Sequence, residues 1–331
     1  MGDGRGEDTD GNVRARVVLC TRDRAQGAVA TVESILANTY EGFELLVIDQ
    51  SSDAETRQAL SRFELDPRFR YLSTPTRGLS RARNIGLMNG NAPYVLMTDD
   101  DCEVPADWVA GMVDVLDGHP TVGLVFGRVV AGPYDPEAGF VPVTGHEHDS
   151  LLTSVRNYPN QGIGAAMGLR KEAVERIGGF DPELGPGATF KAADDVDLAL
   201  RLLLSGSHVL QSCRTSVVHH GFRTFEEGRT LIRGYVYGSV AAYAKLFKCG
   251  HPRFAAVLVA DIWRNVVVET VRSLAQRRRP PVLGRLRYSI KGVIGALRMP
   301  VDRATWAFVD GAAHRDPATR AGRLRPAAPA R

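Results

Sequence analysis

The sequence predicts an α/β protein: a Rossmann-like, mostly parallel sheet flanked by helices, with a helical extension at its C-terminal end. Three observations predict it. Short apolar runs alternate with amphipathic segments through about the first hundred residues, as strand–helix–strand units with crossovers require. The apolar runs end in polar clusters, where open α/β sheets hold their ligands. Beyond about residue 223 the pattern turns helical.

Residues 1–14, acidic at the start and without an apolar run, read as a disordered leader. Residues 16–20 form a buried strand, a short apolar run bounded by Thr21, Arg22 and Asp23. Residues 28–38 carry Val29, Val32, Ile35 and Leu36 at helical spacing. A second buried strand, 44–48, ends in Asp49 and a polar turn, 50–53, able to cap a helix running to about Phe63. A third strand spans 69–72, and a helix over 80–89 leads into strand 94–97, which stops at Thr98 and three consecutive acids, Asp99, Asp100 and Asp101.

From there the pattern loosens. It predicts a helix over 106–116, a strand over 122–130, a Gly/Pro-rich loop through 160, a strand over 163–169, a short helix over 171–177 and a second Gly/Pro loop at 184–188. The helix 194–204 opens on Asp194, Asp195 and Asp197; a short strand ends at Val218, before His219 and His220; residues 222–247 are helical. The expected organisation is a leader (1–14), an α/β catalytic domain (15–222), a helical region (223–312, basic from about 264) and a disordered tail (313–331).

Composition narrows the functional classes. The 331 residues are 44% hydrophobic and 24% charged, which excludes a wholly disordered, collagenous or disulfide-stapled chain. The formal net charge of +3 hides an asymmetry: from Arg264 onward 15 Arg/Lys face 4 acids, so the preceding residues, 26 basic against 34 acidic, carry −8. An acidic body excludes nucleic acid as a partner. It leaves any anionic surface, such as a membrane, to the basic C-terminal region, where Leu283, Leu286, Ile290 and Ile294 interleave with Arg285, Arg287, Lys291 and Arg298. The longest apolar stretch, 254–263, is interrupted by Asp261 and falls short of the roughly 20 residues a bilayer span needs. Cys20, Cys102, Cys213 and Cys249 form no CxxC pair, which argues against a zinc or dithiol centre and for a reducing cytoplasm, with the inner face of the cell membrane as a peripheral site.

Three polar clusters, at 21–23, 49–52 and 99–101, fall at strand ends and converge on one rim. A triple Asp there repels itself unless a cation joins it, and hard oxygen ligands suit Mg²⁺ or Mn²⁺ carrying a substrate phosphate; a solvated loop is the plain alternative. Three acids within four positions at 194–197 exceed what helix-dipole complementation asks for. His219 and His220 read as either a metal ligand or a structural histidine pair. A nicotinamide site would need GxGxxG after the first strand, and neither it nor a P-loop is present.

In order along the chain, these stretches resemble an inverting family 2 glycosyltransferase with the GT-A fold, from about residue 16 to 223. The first strand and its polar turn match, as do Asn38, Thr39 and Tyr40 after the first helix and the strand end at Val47, Ile48, Asp49, Gln50, Ser51 and Ser52. Gly78, Ala82, Arg83, Asn84 and Gly86 reproduce the family's Gly-x-x-x-Ala-Arg-Asn-x-Gly, and Asp99 to Asp101 its strand-terminal DXD. Gly178, Gly179, Phe180 and Asp181, then Asp194, Asp195, Asp197, Leu198 and Arg201, then Val217 to Gly221 complete the series.

The resemblance implies a metal-dependent glycosyltransferase using a nucleotide-diphosphate sugar and a hydroxyl acceptor on a glycan, a lipid-linked species or a small molecule. It puts Thr21 and Asp49 at the donor base, with Gln50 where an Asp is common, and Asp99 and Asp100 at the nucleotide. Arg83 and Asn84 stand beside the donor, Asp101 and either His219 or His220 hold Mn²⁺ or Mg²⁺, and Asp195 is the general base. Asp194, where Glu is usual, and Gly187 face the acceptor. A processive synthase is disfavoured because Gln-x-x-Arg-Trp is missing. A catalytically inactive nucleotide-sugar-binding or adaptor protein is the alternative.

Overall fold

The computed structural model describes residues 13–157, 162–277, 280 and 282–309; most of the expected leader and all of the expected tail lie outside them. The first half runs β1 (Ala15–Thr21), α1 (Ala25–Leu36), β2 (Phe43–Asp49), α2 (Glu55–Leu60), β3 (Phe69–Ser73), α3 (Leu79–Met88) and β4 (Tyr94–Asp99). These four strands are all parallel, in the order β3-β2-β1-β4. Strands β1, β2 and β4 are covered on both faces, which is why they read as unbroken apolar runs rather than as alternating ones. The turn at 50–53 caps α2 through Asp53, whose Oδ1 accepts from Glu55 N, the first helical N–H, at 3.0 Å, while Ala54 holds the N-cap position.

The second half comprises β5 (Cys102–Glu103), α4 (Trp108–Gly118), β6 (Val122–Ala131), β7 (Gly139–Phe140), β8 (Ser150–Leu152), β9 (Ala166–Arg170), α5 (Lys171–Arg176), α6 (Asp194–Leu204) and β10 (His208–His219). It adds antiparallel pairs, yet six of the nine described strands, β1 to β4, β6 and β10, run in one direction, so the sheet is mostly parallel as expected. β9 lies antiparallel between β4 and β6, β10 is parallel to β6, and β5 and β8 pair antiparallel with β10. An apolar run looks the same in either direction, so burial pattern alone cannot orient β9. β10 is also longer than expected. Its polar middle, which reads as a break, is a bulge between Gln211 and Ser216, where Asp149 Oδ1 accepts from Cys213 N at 2.8 Å and from the Ser212 hydroxyl at 3.1 Å.

The C-terminal part contains β11 (Arg223–Thr224), α7 (Phe225–Lys248), α8 (Arg253–Trp263), a π-helical turn (Arg264–Val268), α9 (Glu269–Ala275), α10 (Val282–Arg298), β12 (Val301–Asp302) and β13 (Ala307–Phe308). β11 pairs with β7, and Thr224 starts α7 with a capping box: Glu227 N donates to its hydroxyl at 3.3 Å and Thr224 N donates to Glu227 Oε2 at 2.8 Å.

Apolar layers pack on both faces of the sheet, one around Val32, Trp108 and Met112, the other around Met97, Leu124 and Leu198. A third cluster joins Phe190, Val196 and Leu200 to Ala241, Phe254, Ala296 and Phe308, so the C-terminal helices share a core with α6. Four fully buried charges sit beside it. Lys245 Nζ lies 2.6 Å from both Asp181 Oδ2 and Asp197 Oδ1, and Arg201 Nε is 2.7 Å from Asp197 Oδ2. Two cations against two carboxylates leave the group neutral, the condition for burying charge.

Candidate active site

A cleft of about 650 Å³ opens beyond the C-terminal ends of the parallel strands. Register brings its floor together: Thr21 is level with Asp49 of β2, and Cys20 with Asp99 of β4. At Asp99 the chain turns, and Asp100 and Asp101 follow. The Thr21 hydroxyl donates to Asp100 Oδ2 at 2.8 Å, and Arg24, just ahead of α1, bridges Asp100 Oδ1 at 2.6 Å and Asp101 Oδ2 at 2.9 Å through Nη1. One guanidinium thus offsets two crowded carboxylates. Burial raises the Asp100 carboxyl against the pull of Arg24.

The antiparallel pairing of β10 with β5 sets His219 opposite Cys102, and so next to Asp101. His219 Nε2 stands 3.2 Å from Asp101 Oδ1, whereas His220 turns outward to Glu103 Oε2 at 3.2 Å. Of the two histidines, it is His219 that shares the site. Its Nδ1 is 2.9 Å from the Pro142 carbonyl, an acceptor only, so Nδ1 carries a proton and Nε2 faces the Asp101 carboxylate; against the effect of burial, these two partners raise the His219 pKa. Such a contact calls for a proton or a cation between the two groups. Gly221 leaves room for one: a Cβ there would lie 2.4 Å from His219 Nε2 and 2.9 Å from Asp101 Oδ2. Asp101, with His219 beside it, therefore fits a divalent cation. The buried Cys102 thiol is close enough to join this cluster, but burial pushes its pKa far up and keeps it protonated.

The opposite wall is the start of α6. Two non-glycine residues, Lys191 and Ala193, have positive φ of 54° and 70°, a strained approach that aims the first helical turn into the cleft. Asp194 Oδ2 is buried against Arg83 Nη1 at 2.6 Å; the same guanidinium reaches Asp99 Oδ1 and the Gly164 carbonyl, both at 3.2 Å. Asp195 accepts from Val196 N at 2.7 Å and Gly164 N at 3.0 Å. Burial, with the adjacent Asp194 charge, pushes the Asp195 carboxyl up to about 7.

Thr21, Gln50, Arg83, Asp99, Asp100, Asp101, Gly187, Asp194, Asp195 and His219 all line the cleft. Asp49 and Asn84, expected at the donor, do not. Asp49 is buried behind the wall, bonded to the Tyr71 hydroxyl and to Ser51 N. Asn84 clamps α3 to the Gly178–Gly179 turn, donating to Phe180 O and accepting from Phe180 N, both at 2.8 Å. Asp194 lines the cleft, yet its carboxylate is taken up by Arg83 rather than open to an acceptor. The sequence reading missed Arg24, Lys191, Arg223 and Tyr235. Arg24 lies one residue past the polar turn at 21–23, whereas Arg223 on β11 and Tyr235 on α7 carry no local mark of a site.

Residues 16–178 match the profile described as glycosyl transferase family 2. The chain is 26% identical over 220 residues to a glucosyl-dolichyl phosphate glucuronosyltransferase of Haloferax volcanii, covering 63% of this chain and 70% of that one. It is 25% identical over 229 residues to the O-antigen biosynthesis protein RfbC of Myxococcus xanthus, but spans 17% of that protein's length. The fold is shared with the mannosyltransferase PcManGT from Pyrobaculum calidifontis in complex with GDP-Man and Mn²⁺, at TM-score 0.56 and 20% identity over 86% of this chain and 87% of that one. It is shared too with residues 1–349 of S. aureus TarS, at TM-score 0.60 and 11% identity over 86% and 81% of the two chains. Strand-end acids gathered on one cleft, the eight ordered motifs and these likenesses lead to one conclusion: the chain is a glycosyltransferase of GT-A fold whose residues 16–178 carry the family 2 pattern.

Proposed function

We propose that the protein transfers a sugar from a nucleotide-diphosphate donor to an acceptor hydroxyl in a single inverting displacement, non-processively and with Mn²⁺ or Mg²⁺. The product is a glycan, a glycolipid or a glycosylated metabolite. The observation that carries this reading is the shared cleft, lined by Asp195 on α6 and by Asp101 with His219 at the strand ends. Asp195 takes the acceptor proton, the acceptor oxygen bonds to the anomeric carbon, and the bond from that carbon to the diphosphate oxygen breaks, its electron pair leaving with the diphosphate. Asp99, Asp100 and Asp194 are each held by an arginine, which leaves Asp195 as the base. A retaining route would need a further carboxylate free to act as nucleophile. Asp101 and His219 would hold the cation, which when bound neutralises charge on the leaving diphosphate.

Thr21, Gln50, Arg83, Asp99 and Asp100 face the donor in this reading, and Gly187 and Asp194 border the acceptor side. Asp49 and Asn84 act from behind the wall as positioning residues. The GDP-Man and Mn²⁺ bound by PcManGT support a nucleotide-sugar donor and a divalent cation. Among the described residues no helix is long and apolar enough to cross a membrane. Four free cysteines support a reducing compartment and the basic C-terminal helices support an anionic membrane surface as a further partner, so the proposed setting is the cytoplasm, at the inner face of the membrane.

The test is a panel of nucleotide sugars with Mn²⁺, following donor hydrolysis and transfer. Asp195→Asn should lower kcat by about 10²–10⁴-fold with donor affinity unchanged, because the amide keeps the shape but takes no proton. The base works deprotonated, so wild-type kcat should climb with pH and level off above about 7. Wild-type turnover by the variant, or a product of retained anomeric configuration, would overturn the assignment.

A further inference from the structure

Helix α10 buries its small residues and exposes its large ones. Ser289, Gly292 and Ala296 are buried toward α7, where a Cβ on Gly292 would come within 2.7 Å of the Tyr237 carbonyl. Leu283, Leu286, Ile290, Ile294 and Leu297 follow at steps of three and four residues, so they form one stripe, and all five are exposed, Leu283 to 84%. A helix that only covered α7 would place its leucines and isoleucines inward. The preceding helices add large exposed side chains: Val259 is 67% exposed on α8, Trp263, at its end, 61%, and Val271 of α9 62%. An apolar surface this extensive marks an interaction site.

Its charge selects the partner. Arg287, Lys291 and Arg298 of α10 are exposed beside the stripe, as are Arg264 and Arg272 on the neighbouring segments. Among the described residues of 253–300 the acids are Asp261, buried and paired with Arg264, and Glu269, paired with Arg272 and Arg285. A second copy would present the same positive charge and be repelled. An anionic lipid surface offers hydrocarbon for the stripe and phosphates for the arginines. We propose that the outer face of α8 to α10 docks on an anionic membrane, with the aliphatic stripe in the interface and the basic side chains at the headgroups. This deepens the membrane-partner reading above and rests on it.

The full chain would be sedimented with phosphatidylcholine vesicles with and without phosphatidylglycerol, at low and high salt. Wild type should pellet with the anionic vesicles only, and about tenfold more weakly at high salt. Ile290→Asp with Ile294→Asp, and separately Arg287→Gln with Lys291→Gln and Arg298→Gln, should each weaken binding at least about tenfold, with melting temperature unchanged. Donor hydrolysis measured without vesicles should stay at the wild-type level in both variants. No pelleting by wild type, equal pelleting by the aspartate variant, or a dimer in light scattering that this variant abolishes would overturn the proposal. Loss of hydrolysis activity by the wild type with vesicle binding intact would instead sink the catalytic reading alone.

Discussion

A single methyl group at Gly221 tests the proposed cation site without replacing either proposed ligand. The added Cβ would lie 2.4 Å from His219 Nε2 and 2.9 Å from Asp101 Oδ2, so it fills the space a cation would use and the imidazole must shift, while the backbone, outside the left-handed region, accepts alanine. Gly221→Ala is expected to cut Mn²⁺ affinity at least about tenfold in calorimetric titration, in step with Asp101→Ala. Unaltered Mn²⁺ affinity would move the cation away from these two residues. The same neighbourhood shows how far residue-level reading reaches. The pair His219 and His220 is visible in the sequence, yet the choice between them follows from where β10 ends: His219, its last residue, sits opposite Cys102 and faces Asp101, whereas His220, one residue beyond, faces Glu103.

Between elements, the buried charges of α6 and α7 join the acid-rich helix α6 to the C-terminal region. Lys245 is fully buried, and its loss would leave Asp181 and Asp197 with one cation, Arg201, between them. Lys245→Met should therefore destabilise the protein by about 3–5 kcal/mol in urea denaturation, the usual consequence of breaking a buried pair from one side. A loss below about 1 kcal/mol would show that water or rearrangement compensates. The motifs containing Asp181, Asp197 and Arg201 are plain in the sequence. That Asp197 and Arg201 meet is also readable, since they are four apart on a helix and share a face. Their link to Lys245, distant in sequence, has no local signature, because a lone lysine in an amphipathic helix reads as a solvent-facing one.

At the scale of the whole molecule, the expected division between a catalytic domain and a helical appendage meets a continuous core. Phe190, which precedes α6, stacks on Phe308 of β13 at 4.9 Å between ring centroids and tilts against Tyr237 of α7 at 5.3 Å. A chain ending at Gly250 would lose α8 to α10 and the β12–β13 hairpin, uncovering Phe190 and removing the Phe308 N–H that donates to Asp181. Its thermal transition is expected to fall by several degrees or more and to broaden. A sharp transition at the full-length temperature would establish the first 250 residues as an independent unit.

By itself the sequence determined the parallel first half of the sheet, the acids at its strand ends, the acid-rich start of α6 and the basic amphipathic character of the C-terminal helices. Each of these is written in contiguous residues, through apolar runs that must be buried, polar clusters that cannot be, and side chains repeating at the helical period. Tertiary structure alone decided the antiparallel insertion of β9, the withdrawal of Asp49 and Asn84 from the cleft, the bridging of Asp100 and Asp101 by Arg24, and the outward turn of the α10 leucines. Those outcomes depend on which surfaces meet. Strand direction, the second partner of a carboxylate and the choice of inner face on a helix with two apolar sides are settled only when distant segments compete for the same space.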